Sequence, residues 1–157
     1  MNISQRTFLD QATAEAVKAN YPFPQMAAAE AALESNYGLS ELATHDNNLF
    51  GMKLHSHPDH PEWGMHSLPT REFEHGNWIT INSNWMSYPG WDACFRDRLQ
   101  TLCRLSTLFP HYAAALQAPD AETYIAEVSK TWSTDPNRGA KVLSIYQEYT
   151  GGTNEQT

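Results

Sequence analysis

Ala31-Ala32-Leu33-Glu34-Ser35-Asn36-Tyr37-Gly38 closes an alanine-rich, apolar stretch and is followed ten residues later by Asn48-Leu49-Phe50-Gly51-Met52-Lys53. Alanine and leucine favour a helix, and a glycine lets the backbone turn out of it. The stretch therefore predicts a helix from Pro24 to Asn36 that carries Glu34 to its exit. A carboxyl that leaves an apolar helix for a cleft is a candidate general acid, because poor hydration favours the protonated form. The plain alternative is a solvated helical charge. Glu30, one turn earlier on the same face, is the rival acid, and helix geometry alone does not separate the two; the place of Glu34 at the helix exit favours it, with Glu30 as a supporting or surface residue.

Upstream, Phe8, Ala12, Ala16 and Ala19 recur at helical spacing, predicting a first helix from Ser4 to Asn20. Tyr21-Pro22-Phe23-Pro24 breaks it. Downstream, Ser40 caps a short helix to Thr44, and the His- and Pro-rich segment from Leu54 to Pro69 reads as a loop. Glu72–Glu74 and Trp78–Met86 read as two strands around His75-Gly76-Asn77, with branched and aromatic residues at Trp78, Ile79, Thr80 and Ile81. Helical patterning then resumes. Trp91, Phe95, Leu99, Leu102 and Phe109 form one apolar stripe stopped by Pro110, and Asp120 caps a helix bearing Tyr124, Ile125, Val128 and Trp132. Asp135-Pro136 starts a last helix with Val142, Ile145, Tyr146 and Tyr149 on one side, ended by Gly151-Gly152. The fold class is α+β, mainly α, with helices around a cleft and one small β-hairpin lobe. A single domain over 1–152 with a frayed tail, 153–157, is expected.

Composition limits the function. The 157 residues are 41% hydrophobic and 18% charged, the balance of a soluble globular domain. A formal charge of −8 argues against nucleic acid, and any anionic polymer must be held by short-range contacts. The N-terminus Met1-Asn2-Ile3-Ser4-Gln5-Arg6 lacks the basic start and apolar core of a secretory signal, and no run suits a membrane span. Synthesis in the cytoplasm without a signal peptide is the expectation. Cys94 and Cys103, nine positions apart on one predicted helix, face opposite sides and cannot bridge.

Ala-Leu-Glu-Ser-x-aromatic-Gly at 32–38 and Asn-Leu-Phe-Gly-Met-Lys at 48–53 resemble the glucosaminidase domain of glycoside hydrolase family 73. Thr70-Arg71-Glu72-Phe73 with Gly76, Trp85-Met86-Ser87-Tyr88-Pro89 before Trp91, and Thr134-Asp135-Pro136-Asn137 resemble its later blocks, in the same order. The resemblance spans roughly Ser4 to Tyr149 and implies a lysozyme-like shape. It also implies a peptidoglycan hydrolase that cleaves the glycan strand after N-acetylglucosamine, with no cofactor. Glu34 matches the family's catalytic glutamate and Glu72 its second carboxylate. Glu74 is the local rival of Glu72, and an exposed hairpin charge is the plain alternative. Glu72 would serve as base on water or support an oxazolinium made by the sugar's own 2-acetamido group.

Tyr37, Asn48, Phe50 and Trp132 fall in family-like segments and are the candidate saccharide contacts, each with a packing or capping alternative. One departure stands out. The family carries a tyrosine after Thr-Asp-Pro-x, and this chain has Arg138, a permanent cation that cannot replace a phenol. Arg138 is assigned to substrate binding; the alternative is an ion pair with a carboxylate, which would lower that group's pKa and work against an acid, and Tyr124 or Tyr146 are sources of the missing hydroxyl. Weak or altered activity is the matching alternative, down to a wall-binding module without turnover.

Two further readings compete. A muramidase or lytic transglycosylase of similar shape would need one glutamate. His55-Ser56-His57-Pro58-Asp59-His60 spells the His-x-His-x-Asp-His zinc motif of the metallo-β-lactamase superfamily, whose two-sheet fold a mainly helical chain does not supply. No metal is assigned. Action on peptidoglycan in the periplasm or wall suits a phage endolysin, an injected antibacterial effector paired with an immunity protein, or an excised domain.

Overall fold

The computed structural model describes residues 1–151, apart from the side chains of Glu72 and Phe73. The expected boundary at 152 and the tail 153–157 lie outside the described residues. The helices are α1 (Ile3–Lys18), α2 (Pro24–Ser35), α3 (Glu41–Asp46), α4 (Trp91–Leu105), α5 (Pro110–Leu116), α6 (Ala121–Trp132) and α7 (Arg138–Gly151). Between α3 and α4 stand β1 (Gly64–Glu74) and β2 (Asn77–Ser87), one antiparallel pair. This is the α+β, mainly helical, lysozyme-like arrangement expected. Among the described residues no helix is long and apolar enough to cross a membrane.

α2 is the central helix. Its alanines and Met26 are buried around nearly its whole circumference, because small side chains let neighbours approach from several sides. Ala27, Ala28, Ala31 and Ala32 pack with Phe8, Leu9, Ala12 and Ala16 of α1 and with Cys94 and Phe95 of α4. Met26 and Ala29 face a second cluster with Leu102, Tyr112, Tyr124, Ile125, Val128 and Val142. Pro24 opens α2 at its first turn. At its exit, Asn36, Tyr37 and Gly38 all have positive φ, 50°, 53° and 77°. Ser35 Oγ accepts from the Gly38 N–H at 2.8 Å and donates to the Ala31 carbonyl at 2.6 Å, bracing that turn. A Cβ on Gly38 would stand 2.9 Å from the Phe8 ring, so both conformation and space require glycine.

The hairpin is longer than the sequence suggests. Its pairing runs from Gly64↔Ser87 to Glu74↔Asn77, so the last six residues of the expected Leu54–Pro69 loop are strand. β2 supplies partners that override the poor β-propensity of this stretch, and Pro69 is tolerated because a two-stranded ribbon has a free edge. His75 and Gly76 at the tip have φ of 49° and 82°, the left-handed pair of a two-residue hairpin turn. Ser83 and Met86 near the base are buried, whereas Trp78, Ile79 and Ile81 are exposed. The base is clamped. His66 Nδ1 lies 2.7 Å from Asp46 Oδ2, the Tyr88 N–H donates to the Asp46 carbonyl at 2.8 Å, and the Met86 N–H donates to the Met52 carbonyl at 2.9 Å.

Helix ends follow their caps. Ser40 Oγ accepts from the Ala43 N–H and Asp120 Oδ1 from the Thr123 N–H. No local pattern predicts α5: α4 ends at Leu105, and Pro110, expected to stop a helix, opens a new one at its first turn. α7 starts two residues beyond Pro136, because Asp135 first closes a turn by accepting from the Asn137 and Arg138 N–H groups.

Cys94 is buried and Cys103 exposed on α4. Burial pushes the Cys94 thiol up to about 12, so almost no thiolate exists there at pH 8. Iodoacetamide at pH 8 should label Cys103 of the native chain and reach Cys94 only in denaturant, read by peptide mass spectrometry. Prompt native labelling of Cys94 would contradict the packing around it.

Candidate active site

The end of α2, the 48–51 turn and the hairpin base enclose a groove of about 280 Å³. Glu34, Asn48, Gly51, Leu68, Thr70 and Trp85 are among the residues that line it. Glu34 is 28% exposed there, and its Oε1 accepts from Arg138 Nε at 2.8 Å. Glu72 stands in β1 opposite Ile79, two positions beyond groove-lining Thr70; its side chain lies outside the described residues. One groove thus joins the exit of α2 to the strand that carries Glu72.

Asn48 lines the groove with its amide already committed. Nδ2 donates to the Met52 and Met86 carbonyls and Oδ1 accepts from the Met52 N–H, all at 2.9 Å. It ties the 48–52 turn to β2 and so shapes the groove wall. Phe50 lies in the core at 2% exposure, edge-on to Phe95 and beneath Arg98. A saccharide ring cannot stack on it, because protein already covers it. Tyr37 packs edge-on against Phe8 and, among the described residues, is not part of the groove lining. Trp132, at the end of α6, lines a different and wider groove of about 1070 Å³ between α6 and α7, with Ser129, Thr134, Asp135 and Pro136. Chemistry rather than size selects between the two: the smaller one holds Glu34.

Beneath Glu34 lies a network of charges. Arg138 is 2% exposed and donates from Nε to Glu34, from Nη1 to Ser129 Oγ at 2.9 Å, and from Nη2 to Glu30 Oε1 at 2.8 Å. It reaches Glu34 from below, so direct contact with substrate, the role assigned to it from sequence, is closed off by its burial. Glu30 is fully buried; its Oε1 also accepts from Arg98 Nη2 at 3.1 Å and its Oε2 from the Tyr124 hydroxyl at 3.1 Å. Burial, and then the Glu30 carboxylate, push the Tyr124 phenol well up, so it remains a donor to Glu30 and is not a spare catalytic hydroxyl. Arg98 lies with its Cζ 3.5 Å from the Trp132 ring centre. Its Nε and Nη1 have no hydrogen-bond partner among the described residues. Nothing local in the sequence marks Arg98, since its carboxylate partner is 68 positions away. Tyr146 lines a separate small cavity beside Phe23 and Met26.

The histidine motif does not assemble as a metal centre. His55 places Nδ1 3.0 Å from the Lys53 carbonyl and Nε2 2.9 Å from Asp97 Oδ1, while His57 Nδ1 is 3.0 Å from the His60 carbonyl. His60 stacks on Trp63 with ring centres 4.0 Å apart. Among the described residues no three His, Cys, Asp or Glu groups converge to hold a metal ion.

A family model described as glucosaminidase (mannosyl-glycoprotein endo-beta-N-acetylglucosaminidase) matches residues 10–151. A probable N-acetylmuramidase of Lactococcus lactis subsp. lactis is 30% identical, over 93% of this chain and 34% of its own length. The exo-glucosaminidase LytG of Bacillus subtilis is 29% identical, over 92% of this chain and 51% of its own length. The chain thus spans about a third to a half of these relatives. The catalytic domain of the autolysin Auto of Listeria monocytogenes superposes with a TM-score of 0.78 at 25% identity, covering 96% of this chain and 86% of that domain.

Proposed function

We propose that this chain, which belongs to the glucosaminidase family and is a glycoside hydrolase, acts on peptidoglycan, cutting within the glycan strand after N-acetylglucosamine. One observation carries the reading: a partly exposed glutamate at the end of a buried helix opens on a groove whose other wall is the hairpin. A glycosidic bond seated there needs a proton on its leaving oxygen and an anionic group at the oxocarbenium-like carbon. Glu34 is the acid. Its Oε1 is committed to Arg138, which leaves Oε2 to carry the proton. Glu72 is the second carboxylate, either as base on water or as support for an oxazolinium. The released anomer separates these, with inversion for the first and retention for the second.

Asn48 holds the groove wall, and Trp132 belongs to the neighbouring groove as a further saccharide contact. Cell-wall action follows from the substrate. An immunity protein remains the expected partner if the chain is an injected effector.

A muramidase reading is favoured by the Lactococcus relative, a probable N-acetylmuramidase, whereas the Bacillus relative is an exo-glucosaminidase. Digestion of purified peptidoglycan followed by mass spectrometry of new reducing ends decides. N-acetylglucosamine ends are expected. Muramic or anhydro-muramic ends would overturn the bond assignment, and intact strands the enzymatic reading.

A further inference from the structure

We propose that Arg138 is a positioning residue: held rigidly from below, it fixes the Glu34 carboxylate in the groove. The proposal rests on the reading of Glu34 as the acid. Arg138 occupies the place where the family pattern has a tyrosine, and a single phenolic hydroxyl could not do what this side chain does. Each guanidinium nitrogen has its own partner: Glu34 on Nε, Ser129 on Nη1 and Glu30 on Nη2. A planar fork engaged in three directions has one orientation available. The Nε–H is therefore aimed at Glu34 by the other two contacts.

Glu30 anchors the arrangement. It is completely buried, and its second oxygen is held by Tyr124 while its first is shared with Arg98. Two glutamates and two arginines, Glu30, Glu34, Arg98 and Arg138, balance in formal charge, which makes their burial tolerable. Exposure separates them by role. Glu30 and Arg98 are at 0%, Arg138 at 2%, and Glu34 at 28%. The network reaches the groove through Glu34. An arginine needed just to neutralise Glu30 would require no contact with a groove residue. Placement of a reacting group to within a fraction of an ångström is what such support provides. Arg138 itself moves no proton, since guanidinium does not titrate in the working range.

The test is steady-state cleavage of soluble, uncross-linked glycan strands by the wild type, E34Q, R138K and E30Q/R138Q, with folding checked by circular dichroism. The double variant removes one charge of each sign, so the buried balance is preserved. It should fold and lose kcat by roughly 10- to 100-fold with KM within about twofold. R138K, which retains the charge but has a single ammonium for three partners, should fall between it and the wild type. The proposal is overturned if both Arg138 variants keep kcat within about twofold, or if the loss lies in KM, which would make Arg138 a substrate contact. Full activity in E34Q is a separate failure, that of the acid assignment, and it takes the positioning role with it.

Discussion

Glu34→Gln lowers the rate of glycan cleavage by at least about 100-fold, the usual scale for a positioned general acid, while the folded structure persists. The amide keeps the size of the side chain, and its oxygen can still accept from Arg138 Nε, the one contact that Glu34 makes inside the network. What disappears is the proton that the leaving oxygen takes. The variant should keep the wild-type circular dichroism, melt a few degrees lower because one of the two carboxylates balancing Arg98 and Arg138 is neutralised, and still bind glycan strands, so the deficit appears in kcat. Cleavage within a few-fold of wild type would remove Glu34 from the mechanism, and the groove would lose its reason to be called an active site.

Glu30→Ala acts on stability instead. The side chain is wholly buried and accepts from Arg98, Arg138 and Tyr124. Its removal leaves an excess cation in the interior, a phenolic hydroxyl without its acceptor, and a cavity. Breaking a buried ion pair by deleting one partner costs about 3–5 kcal/mol, and for a chain of this size that lowers the melting temperature by roughly 10 °C. Urea unfolding monitored by tryptophan fluorescence reads the loss directly. A variant as stable as wild type would mean that water or rearranged side chains replace Glu30 without penalty, and the description of the network as tightly matched would be abandoned. The two glutamates lie one helical turn apart, yet their expected effects divide between turnover and folding. Burial separates them, because a carboxylate with three internal donors has no capacity left for a substrate.

The sequence carried the helical frame well where local chemistry decides it. Pro24, Ser40 and Asp120 act through their immediate neighbours, and the structure has helices starting beside each of them. Gly38 was legible as a turn for the same reason. The hairpin was legible in its outer half, where branched residues cluster, and illegible toward its base, where Gly64 to Pro69 become strand through pairing with residues Asn82 to Ser87. Phe50 shows the limit of reading aromatics: the residue type is the same whether a ring stacks on a sugar or lies in the core against Phe95 and Arg98. That Arg138 could pair with a carboxylate was legible from its permanent charge, but Glu30 as the acceptor shared by Arg98 and Arg138 was beyond local reading. Their carboxylate partner is 68 positions from one and 108 from the other, and such separations leave no periodic trace.

The hairpin has one end bolted and the other free. Asp46, Met52 and Asn48 grip its base, while around the His75-Gly76 tip a Cβ added to the glycine would meet nothing within 4 Å. Exposed turns of this kind, remote from packed side chains, accept inserted residues far better than helices or core strands do. The tip is accordingly the place to graft a foreign peptide, a fluorophore or a surface tether, giving a handle on this protein that leaves the helices and their charged interior untouched.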